Sequence, residues 1–306
     1  MSAARAVLAA SDDAISRISQ FAAGYSLEAT LPSAADIDGI VGIAPAGTQV
    51  FLSAVPTKPL LSEIEPAGRL RRAGFEPVPH IAARNFPSES ALDEFLTRMT
   101  GEAAVRKVLV IAGDRDDAAG PYQDALAVIH SGVLERHGIR DIGISGYPDG
   151  HPRISEAARA AAFADKLAAA AHAALDAEVV SQFAFEAAPI ESWVTAVRES
   201  GVTNRIRIGL AGPAGFTALM RYARKCGVKA SARGATRNTS LFKQMFSGLS
   251  APDDVISSLA NPAAEGSLGE VGLHFFSFGG LVATAQWANA VAEGRIRLTS
   301  DGFDIA

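Results

Sequence analysis

The chain has 306 residues, 48% of them hydrophobic and 20% charged, enough to bury a large core and close to the usual size of one α/β barrel. A formal net charge of -5 leaves no basic face of the kind nucleic acid requires, so duplex DNA and RNA are excluded as expected partners, while a local anion pocket is not. The single cysteine, Cys226, cannot form an internal disulfide, and neither an apolar run of membrane-spanning length nor a charged-then-apolar leader is seen. A cytoplasmic, reduced protein with no membrane segment is therefore expected.

Along the chain, a helical stretch over 4–20 is followed by apolar runs that read as strands at 25–31, 50–55, 76–82, 107–112, 141–146, 179–185, 205–210 and 272–278. They recur at the period of a strand plus a crossover helix, roughly 30 to 35 residues. Amphipathic segments at 90–99, 122–137, 155–175, 190–199 and 216–225 lie between them. Ser90 with Asp93 three residues on, and Pro152 just ahead of Ser155, read as helix starts. The stretch 229–270 is long for one crossover and is expected to hold two or three extra helices. The alanine-rich run 157–174 reflects helix propensity.

Strict alternation with eight strands predicts a closed (β/α)8 barrel, a single domain over residues 1–306 with an N-terminal helix and extra helices before the last strand. A dinucleotide fold would need G-x-G-x-x-G after its first strand, where this chain has AlaThrLeuProSer.

A parallel barrel gathers whatever follows each strand at one end. Glu28 alternates with apolar neighbours in YSLEATL; burial would raise its pKa and suit it as a general acid, and the plainer alternative is a strand-end carboxylate that caps a loop or meets an arginine. Gly113 would let backbone amides approach a ring or phosphate, with Asp114 beside it, although Gly-Asp is also an ordinary turn. His80, Tyr147 and His151 offer donors and an aromatic face at the same end, where a lone histidine is more often structural. Gln182, among Val179, Val180, Phe183 and Phe185, needs partners for two donors and an acceptor, which ligand heteroatoms would supply. Phe216 is placed to stack on a planar ring or to fill core, and His274 reads as a packed strand residue. The six histidines are scattered, and no metal site is expected.

Together the segments SLEATLP, PVPHIAA, VIAGD, YPDGHP, VVSQFAF, a phenylalanine after GlyPro, KQMFSGL and LHFFSF resemble methylenetetrahydrofolate reductase. That family is an FAD-dependent (β/α)8 barrel that reduces 5,10-methylenetetrahydrofolate to 5-methyltetrahydrofolate with NADH or NADPH. The resemblance implies that Glu28 protonates the folate as its five-membered ring opens to an iminium. Asp114 would tune charge near flavin and folate, Gln182 would hydrogen-bond the pterin, and Phe216 would stack on folate or nicotinamide. His80, Gly113, Asp114, Tyr122, Tyr147 and His151 would line the flavin site, with nicotinamide and folate exchanging on one face. No regulatory extension is expected, and a homo-oligomer is compatible with the family.

The chain departs from the pattern at Ala112, where the family usually has an arginine, and in AAAHAALDA before the glutamine strand, where a basic pair and AspAlaGlyAla are usual. These basic residues contact the FAD phosphates in charge-assisted bonds of about 1.5 to 3 kcal/mol each. Three outcomes follow: Arg84 or Arg115 compensates, FAD binds weakly, or hydride passes without flavin. Phe278, Gly279 and Gly280 stand where an arginine often follows the last strand; Arg233 and Arg237 are either the alternative cations for the folate tail or two solvated loop cations. Competing readings are another flavin-dependent barrel oxidoreductase, resembling proline dehydrogenase, and a non-catalytic pterin-binding protein.

Overall fold

The computed structural model describes residues 2–228 and 249–306. Arg233, Arg237 and all of KQMFSGL but its leucine fall outside the described residues.

Eight strands close in chain order into a barrel. They are β1 (Ser26–Ala29), β2 (Gln49–Leu52), β3 (Glu76–Ala82), β4 (Lys107–Ile111), β5 (Asp141–Gly146), β6 (Asp176–Ser181), β7 (Ile206–Ala211) and β8 (Val271–Phe276). The ladders from β1 through β5 and between β7 and β8 are parallel. This is the (β/α)8 barrel that the alternation predicts. Its strands are short and apolar because they are covered on both faces. The helices among the described residues are α1 (Ser2–Ala22), α2 (Ala34–Ile40), α3 (Ile64–Arg72), α4 (Glu89–Ala103), α5 (Ala125–His130), α6 (Val133–Arg136), α7 (Glu156–His172), α8 (Ala187–Glu199), α9 (Phe216–Cys226), α10 (Asp253–Ala264) and α11 (Leu281–Ala292). A hairpin of β9 (Ile296–Leu298) and β10 (Phe303–Ile305) follows.

The chain divides into two compact units, Ser26–Val180 and Met1–Tyr25 with Ser181–Ala306. In the first, Phe51, Val78, Leu109 and Val180 form a buried cluster with Ile111 against it. Its helices start where short polar side chains take up orphan amides. Ser33 and Asp36 form a capping box on α2, Asp124 accepts from Ala127 N, and Ser155 accepts from Ala158 N. In the second, Phe183, Ala211, Ala214, Leu219, Ala223 and Val228 are the buried set, with Phe185, Tyr222, Phe276 and Phe278 packed against it.

Three predicted elements shift. The helix expected over 122–137 is two short ones, because Gly132 at φ 68° turns the chain left-handed between them. The cap of α4 is Ser88, which accepts from Ala91 N, in place of Ser90. The sixth strand ends at Ser181, so Gln182 lies just past it. There the ladder gives way to a side chain: Ser181 Oγ accepts from Gly209 N at 2.8 Å and donates to Gln182 O at 3.0 Å. A Cβ on Gly209 would stand 2.3 Å from Ser181 O, so only glycine lets β7 come this close. The region 229–270 contains α10 in its described part.

Candidate functional site

In the unit Ser26–Val180, the ends of β1, β2 and β3 bring three side chains together. Glu28, the third residue of β1, has a side chain only 13% exposed. Ser53, the residue after β2, donates its hydroxyl to Glu28 Oε1 at 2.7 Å, and its backbone N–H bonds Ala29 O at 3.0 Å. His80, in the middle of β3, places Nε2 3.5 Å from Glu28 Oε2. That separation is within ion-pair reach, yet it lacks hydrogen-bond geometry, and Nε2 is buried with no hydrogen-bond partner within the protein. The ring packs edge-on against Phe51 at 6.3 Å, which fixes its direction. The carboxyl group expected to be desolvated is therefore shielded, with one oxygen held by a hydroxyl and the other turned to an imidazole.

A cavity of about 10 Å³ is lined by Ala54, Lys58, Glu63, His80, Asn85 and Phe86 among others. Glu63 Oε2 and Asn85 Oδ1 are, like His80 Nε2, buried without a hydrogen-bond partner within the protein. Glu63 is 6% exposed, and burial pushes its carboxyl from the usual range up to about 8. Sequence reading missed Ser53, Glu63 and Asn85. Each lies in a segment between regular elements or in a short 3-10 turn, where no periodicity marks a buried polar group.

The remaining candidates of this unit are spread along the ends of β4 and β5. Gly113, two residues past β4, has φ 93°, and a Cβ there would lie 3.0 Å from Ala82 Cβ. Asp114 beside it is exposed. Tyr147 and His151 flank the ProAspGly turn and meet edge to face at 5.4 Å. The His151 pKa is lowered, by burial first and then by the Arg153 and Arg159 cations. Tyr122 is buried at 4% exposure and presents little surface to a ligand.

These residues do not fit an FAD diphosphate at the positions the resemblance assigns. Position 112 is alanine. Arg84 donates to Gln123 O at 2.7 Å and Arg115 O at 3.0 Å, and Arg115 donates to Asp117 O at 3.3 Å. Both candidate replacements thus tie loop carbonyls together. Among the described residues, no group of three or more His, Cys, Asp or Glu side chains is placed to hold a metal ion, and no helix is long and apolar enough to cross a membrane.

The other unit is described by its aromatic rings. Gln182 turns its Oε1 back to accept from Phe183 N at 3.0 Å, so its carbonyl is used locally. Phe183 meets Phe185, Phe276 and Phe278 at centroid distances of 5.5, 5.4 and 4.9 Å. Phe278, where the family often carries an arginine, stacks on Tyr222 at 4.0 Å and 11°. Arg221 lies 5.2 Å from the Tyr222 ring centre. Phe216 opens α9 and is half-buried. His274 is fully buried in β8 and packs edge-on to Phe276, the structural role read for it.

Comparison with solved structures gives one fold match with a TM-score above 0.5 and weaker similarities below it. An uncharacterized protein from Clostridium thermocellum that binds two copies of 5-methyl-5,6,7,8-tetrahydrofolic acid has a TM-score of 0.58 at 12% identity, covering 90% of this chain and 99% of its own. Dihydropteroate synthase from Thermus thermophilus has a TM-score of 0.47 at 13% identity, covering 88% and 93%. The model of the family described as methylenetetrahydrofolate reductase matches residues 44–233, a span that includes His80, Gly113, Asp114, Tyr122, Tyr147, His151, Gln182 and Phe216, with Glu28 upstream of it. Matched over more than half of its length, the chain belongs to the methylenetetrahydrofolate reductase family, folate-related oxidoreductases that are generally flavin-dependent.

Proposed function

We propose that this protein interconverts 5,10-methylenetetrahydrofolate and 5-methyltetrahydrofolate, with reducing equivalents from NADH or NADPH and Glu28 as the general acid. The observation that carries the reading is the shielded Glu28 carboxyl, held by Ser53 at 2.7 Å and faced by His80 at 3.5 Å. A carboxyl group shielded from water can stay protonated near neutrality, which is what a general acid requires. In the reducing direction the Glu28 proton goes to a nitrogen of the folate five-membered ring, and the carbon–nitrogen bond there breaks. The methylene carbon is left as an iminium. Hydride adds to that carbon to give the methyl group, and the nicotinamide leaves oxidised. One proton and one hydride account for the product.

Ser53 and His80 orient Glu28. For Asp114, Gln182 and Phe216 the family resemblance implies tuning of charge near flavin and folate, a hydrogen bond to the pterin and a stack on folate or nicotinamide. The tetrahydrofolate-binding protein of the same fold supports a folate ligand. No step is routed through a flavin, because the basic residues expected at the FAD phosphates are absent at position 112 and before β6. Direct transfer from the nicotinamide is the reading these residues favour. In the alternative a rearranged FAD is the carrier and meets Arg153 and Arg159 beside His151, which here pair with Asp116 and donate to Ile154 O.

The test is the visible spectrum of the protein with and without added FAD, followed by NADH or NADPH and then methylenetetrahydrofolate. Folate-dependent nicotinamide oxidation with no flavin uptake supports direct transfer. A flavin band that bleaches with nicotinamide and recovers with folate places FAD in the path. The absence of both signals would overturn the reductase reading and leave a pterin-binding protein.

A further inference from the structure

In the reducing direction Glu28 gives up a proton at every turnover and has to recover it. Its side chain is only 13% exposed, and bound ligands that exclude water leave it still less direct access to solvent. The way back runs through a neighbour that also meets solvent. His80 does not qualify: it is 7% exposed, and its Nε2, 3.5 Å from Glu28 Oε2, has no hydrogen-bond partner within the protein. Ser53 qualifies through Thr30. Ser53 Oγ lies 2.7 Å from Glu28 Oε1, and Thr30 Oγ1, on an exposed residue, lies 3.3 Å from the same Ser53 Oγ.

The direction of these bonds follows from counting hydrogens. A serine hydroxyl has one to donate. With that hydrogen on the Glu28 carboxylate, the contact between the two hydroxyls is made by the hydrogen of Thr30, so the donors run from Thr30 to Ser53 to Glu28. When Glu28 is protonated at Oε1, the same oxygens bond in the opposite order. A chain that can reverse in this way can carry a proton. The backbone holds its members in place: Ser53 N–H bonds Ala29 O at 3.0 Å, and Leu31, next to Thr30, takes φ 46°, a left-handed conformation that is costly for a bulky residue. The 3.3 Å contact is long for two hydroxyls, as catalytic hydrogen bonds often are before ligand binds.

We infer that Thr30 and Ser53 form a proton relay between solvent and Glu28, a role that rests on the proposed function of Glu28 as the acid. Once a folate nitrogen has taken the Glu28 proton, the carboxylate takes the Ser53 hydroxyl hydrogen at Oε1. Ser53 Oγ takes the hydrogen of Thr30, and Thr30 Oγ1 takes one from hydronium or a buffer acid. Each hydroxyl breaks one O–H bond and forms another, so neither keeps a charge, and the net change is one proton from solvent to Glu28. In the oxidising direction the same steps run outward. Thr30 and Ser53 are positioning residues that act through Glu28.

Thr30→Val keeps the shape of an exposed side chain and removes its hydroxyl, and Thr30→Ser keeps the hydroxyl. Thr30→Val is expected to lower kcat for folate-dependent nicotinamide oxidation by roughly 10-fold, short of the 10²–10⁴-fold for losing the acid itself, without raising KM. Its rate should climb with imidazole concentration at fixed pH, because imidazolium supplies the proton directly, whereas the unaltered protein should not respond. Thr30→Ser should behave as the unaltered protein. An unchanged kcat in Thr30→Val, a loss that imidazole does not relieve, or a Thr30→Ser as slow as Thr30→Val overturns the relay. A second readout needs no turnover: the infrared band of the protonated Glu28 carboxyl, assigned by its loss in Glu28→Gln, is followed after a rapid drop in pH. The band should grow more slowly in Thr30→Val than in the unaltered protein, and equal rates overturn the relay. A protein with this difference that does not reduce folate removes only the reductase reading, and one that reduces folate with no effect of Thr30→Val removes only the relay.

Discussion

Where β1, β2 and β3 end, the chain places Glu28, Ser53 and His80, with Glu63 and Asn85 lining one small cavity together with His80. Where β6, β7 and β8 end, it places rings: Phe183 among Phe185, Phe276 and Phe278, and Phe278 on Tyr222. The two regions answer to opposite physics. Buried aromatic pairs add favourable contacts beyond their area. A buried carboxyl and an imidazole nitrogen without a hydrogen-bond partner cost stability and are retained where function needs them. The polar ends are the place to look for chemistry, and the ring cluster for rigidity and ring-shaped ligands.

The contrast breaks most sharply at Glu28. Glu28→Gln keeps shape and removes the proton, and is expected to lower folate-dependent nicotinamide oxidation by roughly 10²–10⁴-fold, with folate binding retained by calorimetry. Unchanged turnover would remove Glu28 from the acid role. In the aromatic region, Phe183→Ala is expected to cost about 3–5 kcal/mol in denaturant unfolding, because Phe183 is 1% exposed and shared by three rings.

Glu63→Gln sharpens the comparison, since it should stabilise where Phe183→Ala destabilises. In the unfolded chain the carboxyl ionises from its ordinary value of 4.5, and in the folded protein it stays neutral until about 8. Stability therefore falls as pH rises between those values and is level above them. The gain of Glu63→Gln should be absent near pH 4 and reach at most about 4 kcal/mol by pH 7.5, read from Tm or urea midpoints across that window. A gain independent of pH would show that Glu63 is ionised in the fold. The smallest effect is Tyr222→Leu, expected to cost about 1 kcal/mol through loss of the stack on Phe278. No change would mean that the stack contributes nothing beyond buried area.

The eight strands were legible because fully covered parallel strands read as apolar runs spaced by crossover helices. β3 was found although Pro77 and Pro79 withhold two ladder donors; its burial outweighs them. The interruption in 122–137 was not legible, because the apolar spacing continues across Gly132. Gln182 was placed in a strand because Phe183 and Phe185 extend the apolar run, whereas Ser181 and Gly209 end the ladder before it. Of the site, Glu28 and His80 could be named from strand position, but their pairing could not.

Sequence alone determined the barrel, the family and Glu28 as a shielded carboxyl group, since period, motif order and alternation are local properties. Tertiary structure decided what those groups meet. Ser53 reaches Glu28 across 25 positions, Arg84 donates to two loop carbonyls, and Glu63 and Asn85 meet His80 around one small cavity. The physical reason is that a hydrogen-bond partner and the loss of water are set by chain segments far apart in sequence, which no local pattern encodes.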